Sequence, residues 1–337
     1  EASSAAAGML APQAEADRAD LFFELACAGR DLYPGFADEL REETGIDIEL
    51  ERTGTLYLAL REEDEEEIER RYHWQTRAGL KVERLSADEA RRQEPCISPQ
   101  VRGALRFPLD VQVENRRLLA ALSSAVEKRS VRLLTGTSVT SLIIEHGRVQ
   151  GVWTSRGKIH APVVILAAGA WTSFLTSTDK GAPEFGIEPV RGQMLLFKTN
   201  PRIARHVIYS PRGYIVPRLD GRLLAGSTTE RAGFEKLVTD EGVYSVTSHA
   251  REIAPVVGSL PLVDSWAGLR PRASDDWPVV GASSEVDGLF YATAHYRNGI
   301  LLAPLTGELL AEQIMTGQAS PLLNAFSPDR FAGVGVN

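Results

Sequence analysis

A chain of 337 residues is longer than one ordinary core requires, so two domains or one large α/β domain are expected. With 43% hydrophobic and 24% charged residues and a net charge of −8, the composition excludes a disordered chain and a broad nucleic-acid footprint, which would need a basic face. Two cysteines, Cys27 and Cys96, exclude a disulfide scaffold or a cysteine-built metal site.

No apolar run approaches the ~18 residues of a membrane span. Residues 1–16 lack the basic and apolar regions of a signal peptide, so no membrane anchor is expected and the cytoplasm is the expected compartment. In chain order, Leu21, Leu25, Leu32, Phe36 and Leu40 recur at helical spacing over 17–43, where Pro34 should kink or divide the helix. Thr55 to Leu60 alternates like a strand, and the acidic stretch Glu62 to Arg71 reads as a solvated helix face. Ser86 and Glu89 fit a capping box for a short helix that stops at Pro95, and 114–129 is an amphipathic helix.

Val131 to Leu134 and Thr137 to Glu145 read as strands, with a turn over 145–148 and a partner strand from Val149 to Ser155. His160 to Leu166 is apolar enough for a buried parallel strand. The region 185–270 alternates like strands at Gln193 to Phe197, Gly213 to Pro217 and Leu223 to Ser227, with a helix over 241–254. From Leu289 the pattern is strand, loop and a final helix at 303–316. Such an order, α/β material flanking a strand-rich middle, implies a discontinuous nucleotide-binding domain with a mostly antiparallel domain inserted.

Four stretches carry candidate chemistry. The strand ending in Leu166-Ala-Ala-Gly169-Ala-Trp171 is either a tight strand-to-helix turn or a place where a ligand phosphate approaches the backbone. His295-Tyr-Arg297-Asn298-Gly299 before a helix is a ready anion site, and Arg297 is either a bidentate carboxylate ligand or a surface ion pair. In Trp266-Ala-Gly-Leu-Arg270-Pro-Arg272, alternation puts Trp266, Gly268 and Arg270 on one face, with an ion pair to Asp275 or Asp276 as the other reading. Tyr214, in Gly213-Tyr-Ile-Val-Pro217, is a core residue with a wet tip or a ligand-binding phenol. The histidines show no metal-ligand spacing and no Gly-x-Ser-x-Gly occurs, so neither a metal site nor hydrolysis is indicated.

With Ser4-Ala-Ala-Ala-Gly8-Met9-Leu10 and Pro189-Val-Arg-Gly192-Gln193, these stretches resemble the D-amino-acid-oxidase-like flavoprotein family, and within it the glycine oxidases of thiamine biosynthesis. The resemblance covers almost the whole chain. It implies an FAD-binding Rossmann-like domain of the glutathione-reductase type, discontinuous over 1–45, 108–180 and 278–337, and an inserted mostly antiparallel substrate domain over 46–107 and 181–277. It implies FAD as cofactor, a small amino acid and O2 as reactants, hydride transfer from Cα to flavin N5 with no protein base, and a homo-oligomer, a tetramer.

By the same likeness Arg270 clamps the substrate carboxylate, Tyr214 hydrogen-bonds it, and Arg297, Met9 and Ala11 complete the substrate pocket. Ala7, Gly8, Met9, Gly169, His295, Tyr296, Arg297, Asn298, Gly299, Ile300 and Leu301 hold the cofactor. Val139 meets its adenine end through the backbone. The helix N-terminus after Asn298 suits the negative charge of a reduced flavin at its N1–C2=O edge. The glycine-rich pyrophosphate turn of this family, about 30–40 residues, is expected before residue 1. Arg212 stands where the relatives can carry a histidine. A D-amino-acid dehydrogenase, a sarcosine oxidase-like enzyme, and an inactive remnant needing a partner remain open as alternatives.

Overall fold

The protein is described by a computed structural model covering residues 1–176 and 185–331. Two units emerge from the packing. The first comprises Glu1–Ala125, Arg191–Glu230 and Glu235–Gly268, the second Val126–Val190, Arg231–Phe234 and Leu269–Asn337. Packing thus groups residues 1–45 with the large sheet, whereas the sequence expectation joins them to the nucleotide-binding domain. These divisions rest on different properties, compactness and ligand binding. The expected 180/181 boundary lies outside the described residues.

An eight-stranded sheet dominates the first unit, in the order Leu262–Arg272, Glu188–Lys198, Arg222–Gly226, Gly213–Pro217, Val207–Ser210, Thr55–Ala59, Gly103–Phe107 and Glu83–Ser86. Val207–Ser210 runs parallel to Thr55–Ala59, and its other neighbour is antiparallel. The strands alternate with period 2, but both faces are buried. Leu56, Leu58, Leu195, Ile208, Ile215 and Ala225 lie on the face that packs with Val246, Ala250 and Ile253 of the helix Asp240–Ile253. Tyr57, Met194, Tyr209, Tyr214 and Leu224 belong to a separate apolar cluster, shared with Ala7, Ala11 and Ala14.

Burial of a hydrophobic stripe overrides proline in two helices. Leu21–Thr44 is one helix with Pro34 inside, capped by Asp20 accepting from the Phe23 N–H and ended by Gly45 at φ 77°. Phe23, Leu25, Tyr33 and Leu40 hold it in the core. The last long helix runs Gly299–Thr316, beginning four residues before the expected 303 and containing Pro304, because Ile300, Leu301 and Leu302 are already buried helical positions. The Ser86–Glu89 capping box is formed as expected.

The second unit holds two three-stranded sheets. In one, Leu289–Thr293 lies between antiparallel Val279–Ala282 and parallel Val164–Leu166. The other is the meander Val139–Glu145, Arg148–Thr154, Gly157–His160, whose first turn has His146 and Gly147 at φ 53° and 73°. Two expectations are corrected here. Val131 to Leu134 is not a strand, and its side chains are exposed, because no described strand pairs with it. The buried parallel strand expected over 160–166 is only Val164–Leu166. Pro162 separates it from the meander, and with a neighbour on one side only among the described residues, Ile165 is left exposed.

Candidate functional site

In the first unit the N-terminal segment is held almost entirely through its backbone carbonyls. Asn115 Nδ2 donates to Ser3 O at 2.8 Å and Trp266 Nε1 to Ala5 O at 2.9 Å. Arg218 donates to Ala7 O at 2.6 Å, and the Val113 N–H to Gly8 O at 2.9 Å. Ala5 Cβ rests so close to Gly268 that a side chain there would stand 2.6 Å away, which explains the glycine on the face expected to carry Arg270. Gly8 has φ +71°, and a Cβ would lie 2.1 Å from Val113 O, so only glycine fits.

The segment continues as the short strand Met9–Leu10, paired with Val111–Gln112, and then the helical turn Pro12–Glu15. Asp110, fully buried, accepts from the N–H groups of Gln13 and Ala14 at 3.3 and 3.2 Å. Arg71 donates to Ala14 O and Ala16 O, and the Tyr209 hydroxyl donates to Glu15. Burial pushes the Asp110 carboxyl up to about 7, against the pull of Arg30 and the two N–H donors.

Below this segment three tyrosines form a cross-strand row. Tyr57 is opposite Tyr209, which is opposite Tyr214, and Tyr214 is opposite Gly226. Ring centroids are 6.4 Å apart for Tyr57 and Tyr209 and 5.3 Å for Tyr209 and Tyr214. The Tyr214 hydroxyl donates to the Met194 thioether at 3.3 Å, a weak acceptor that a carboxylate would readily replace. Thus the structure brings Tyr214, Ala7 and Ala11 into one apolar cluster, with Met9 packed against it.

Arg212 is occupied elsewhere. Its guanidinium forks onto buried Asp64 at 2.9 and 2.6 Å and reaches Glu252 at 3.1 Å, so it ties the sheet to two helices. Arg191, from the Pro189–Gln193 stretch, is likewise spent on Glu230 and Glu235.

The second unit gathers the remaining candidates around one turn. After the strand Leu289–Thr293, both Ala294 and Tyr296 adopt the left-handed region, φ 57° and 47°, which is uncommon for non-glycine residues. The Tyr296 N–H donates to Pro271 O at 2.9 Å, and Arg272 bridges His295, so the end of the Arg270 strand lies against this turn. Arg272 takes the ion pair anticipated for this stretch, with Asp276 and Glu188. Arg270 is half-buried and Arg297 exposed.

Gly169, at φ 56°, is fixed to the same turn. Its carbonyl accepts from Thr172 Oγ1 at 2.8 Å and Thr293 Oγ1 at 3.2 Å, and these hydroxyls lie 2.9 Å apart. His295 Nε2 is 3.0 Å from Thr306 Oγ1, and burial pushes the imidazole down to about 4, so it is neutral at neutral pH. Asn298 makes no side-chain cap to the helix Gly299–Thr316, whose N-terminus is attractive to anions. Val139 stands apart, at the start of the meander and exposed.

Sequence reasoning missed Arg218, Asp110, Tyr209, Met194, Gly226, Thr172 and Thr293. Tyr209 had a readable signal, since Ile208-Tyr-Ser-Pro-Arg-Gly-Tyr214 is a hairpin pattern. Arg218 and Asp110 act on the N-terminal segment and Thr293 on Gly169, partners far away in the chain for which local pattern gives no sign.

A flavin dinucleotide needs donors for its ring carbonyls and an electropositive end for its charge. The residues fit. Ala7 and Gly8 are buried, yet neither N–H has an acceptor among the described residues, an arrangement that folded proteins reserve for a ligand or water.

Comparison with known proteins follows the same line. The model of the family described as FAD dependent oxidoreductase matches residues 1–313. The glycine oxidase of Geobacillus kaustophilus is 36% identical over 339 residues, covering 99% of this chain and 89% of that protein. The bifunctional protein ThiO/ThiG of Synechocystis is 33% identical over 335 residues, and this chain spans only 48% of its length while being covered to 98%. The crystal structure of glycine oxidase from Geobacillus kaustophilus superimposes with a TM-score of 0.92 at 34% identity, covering 98% of this chain and 88% of that one.

Proposed function

The chain belongs to the family of FAD-dependent oxidoreductases, and on that premise we propose that it oxidatively deaminates glycine or a similarly small amino acid. The observation that carries this reading is the likeness to a glycine oxidase over 99% of the chain, in sequence and fold alike. Bound FAD would supply the acceptor for a hydride from the substrate Cα and the route by which its two electrons reach O2 as peroxide, with the product imine hydrolysed in water.

The chain's own task is to bind and orient. Arg270 clamps the substrate carboxylate with its planar fork, and Tyr214 donates its hydroxyl to a carboxylate in exchange for the Met194 thioether. Met9 and Ala11 shape the pocket, and Arg297 adds positive charge near the substrate. The substrate enters as the free amine, so no protein base is assigned. The unpaired N–H groups of Ala7 and Gly8, with Met9, are donors and walls for the flavin. Gly169 and the turn His295, Tyr296, Arg297, Asn298, Gly299, Ile300 and Leu301 form the second part of the cofactor site, where a neutral His295 adds no charge of its own. Val139 meets the adenine end.

In this reading the cofactor-binding domain comprises 1–45, 108–180 and 278–337, and the substrate domain 46–107 and 181–277. The likeness to ThiO/ThiG supports a role in thiazole synthesis for thiamine. We further propose a cytoplasmic homotetramer. Among the described residues no helix is long and apolar enough to cross a membrane.

A visible spectrum of the FAD-loaded protein, taken before and after anaerobic glycine, tests the reading. Bleaching of the flavin bands is expected. Bands that persist with glycine but bleach with sarcosine or a D-amino acid would move the substrate, and a protein that takes up no flavin would overturn the enzyme reading.

A further inference from the structure

Arg218 is 2% exposed, yet no described carboxylate lies within ion-pair distance of it. A buried cation is costly unless its donors are satisfied; here the two terminal nitrogens are satisfied by neutral oxygens, while Nε has no partner among the described residues. Nη2 donates to Ala7 O at 2.6 Å and Asn115 Oδ1 at 3.4 Å; Nη1 donates to Val113 O at 2.8 Å and Gln112 Oε1 at 3.2 Å. The guanidinium therefore bridges the N-terminal segment to the strand end that follows Gln112. Burial lowers its affinity for the proton, to about 10, which leaves it charged at neutral pH.

A trans peptide is planar, with its C=O and N–H pointing in opposite directions. The carbonyl that Arg218 grips is that of Ala7, and the other end of the same peptide is the Gly8 N–H. This N–H is buried and has no acceptor among the described residues. Holding Ala7 O thus aims the Gly8 N–H away from the guanidinium, and Gly8 O, bonded to the Val113 N–H, fixes the next peptide. A charged donor on the carbonyl also polarises the amide, so its N–H becomes a better donor. The left-handed backbone at Gly8 and the 2.1 Å approach that excludes any Cβ keep this peptide in one orientation.

We infer that Arg218 is a positioning residue, which aims and strengthens the Gly8 N–H toward an acceptor that gains negative charge during the reaction. This rests on the proposed FAD-dependent reading, in which that acceptor belongs to the flavin. Lysine cannot replace it, since a single ammonium lacks the fork that spans Ala7 O and Val113 O.

The test is Arg218→Lys, measured for amide hydrogen exchange at residues 7–9 without FAD, for FAD affinity, and for the potential of the bound flavin. Faster exchange, an FAD dissociation constant about tenfold higher, and a more negative potential are expected. Unchanged exchange, or faster exchange with unchanged affinity and potential in a protein that binds FAD normally, would overturn the inference and leave the oxidase reading standing. If the wild-type protein takes up no FAD, the reading and this inference's ligand fall together, and the exchange arm reports only the backbone contact. Should Arg218→Lys not fold, Asn115→Ala, which frees Ser3 O and removes one acceptor of the guanidinium, is read on the same three measurements, with the same direction expected and no change overturning the inference.

Discussion

A Cβ on Gly226 would stand 2.7 Å from the hydroxyl of Tyr214 and 2.4 Å from the Met194 sulfur. Tyr214 lies flat across its neighbouring strand only because this position is bare. Gly226→Ala is expected to push the phenol out of its place, destabilising the protein by about 1–3 kcal/mol and raising KM for the amino acid. Thermal unfolding and steady-state kinetics check this together. A variant with normal KM would remove Tyr214 from the substrate site.

Arg270→Ala is expected to raise KM far more than it lowers kcat, since loss of a charge-assisted clamp that the substrate desolvates costs about 2–5 kcal/mol. Arg270→Lys should recover only part of it, because an ammonium lacks the bidentate fork. Equal KM values for wild type and Arg270→Ala would sink the assignment.

Asp110 predicts a pH dependence with a definite sign. Its carboxyl, ordinarily at 3.8, is pushed up to about 7 by burial, so the folded protein keeps a proton that the unfolded chain releases. This group's contribution is full below about pH 4 and declines as pH rises to about 7, by at most on the order of 4 kcal/mol. The groups facing Asp110 are Arg30 and Glu15. The stability difference between wild type and Asp110→Asn, followed by denaturant unfolding from pH 4 to 8, should fall over that window and then stay flat. A difference independent of pH would mean the carboxyl is ionised throughout.

Thr293→Val keeps the shape of the side chain but removes a hydroxyl bonded to Thr172 and to Gly169 O. A loss of about 1 kcal/mol is expected, with weaker FAD binding because Gly169 is held less firmly. Isothermal titration with FAD, beside a thermal melt, separates the two effects.

Much of the fold was legible where a local rule dominates. The Ser86–Glu89 box, the tyrosine strand Gly213–Pro217 and the meander turn at His146–Gly147 all depend on residues within a few positions. Prediction failed where a distant partner decides. The helix Leu21–Thr44 is not divided at Pro34, and the last helix begins at Gly299 instead of 303, because buried side chains packed on other elements hold these turns helical. Val131 to Leu134 has strand composition but, among the described residues, no neighbouring strand to complete it. At the site, the resemblance proposes which residues face the ligands but does not point to Arg218 or Asp110, because a charge spent on backbone groups leaves no mark in the pattern around it.

The N-terminal segment is gripped by its carbonyls, from Ser3 to Gly8, while its side chains add apolar contacts, Ala5 against Gly268 and Ala7 in the cluster with Tyr214. Every residue has the same backbone carbonyl, so this hydrogen-bonded grip does not depend on the side chain that follows it. Met9, half-buried at the end of this segment, can therefore change size or polarity without loosening the anchor. If Met9 lines the substrate pocket as proposed, single replacements there would shift substrate preference while the carbonyl grip stays intact, a short evolutionary route between amines of different bulk.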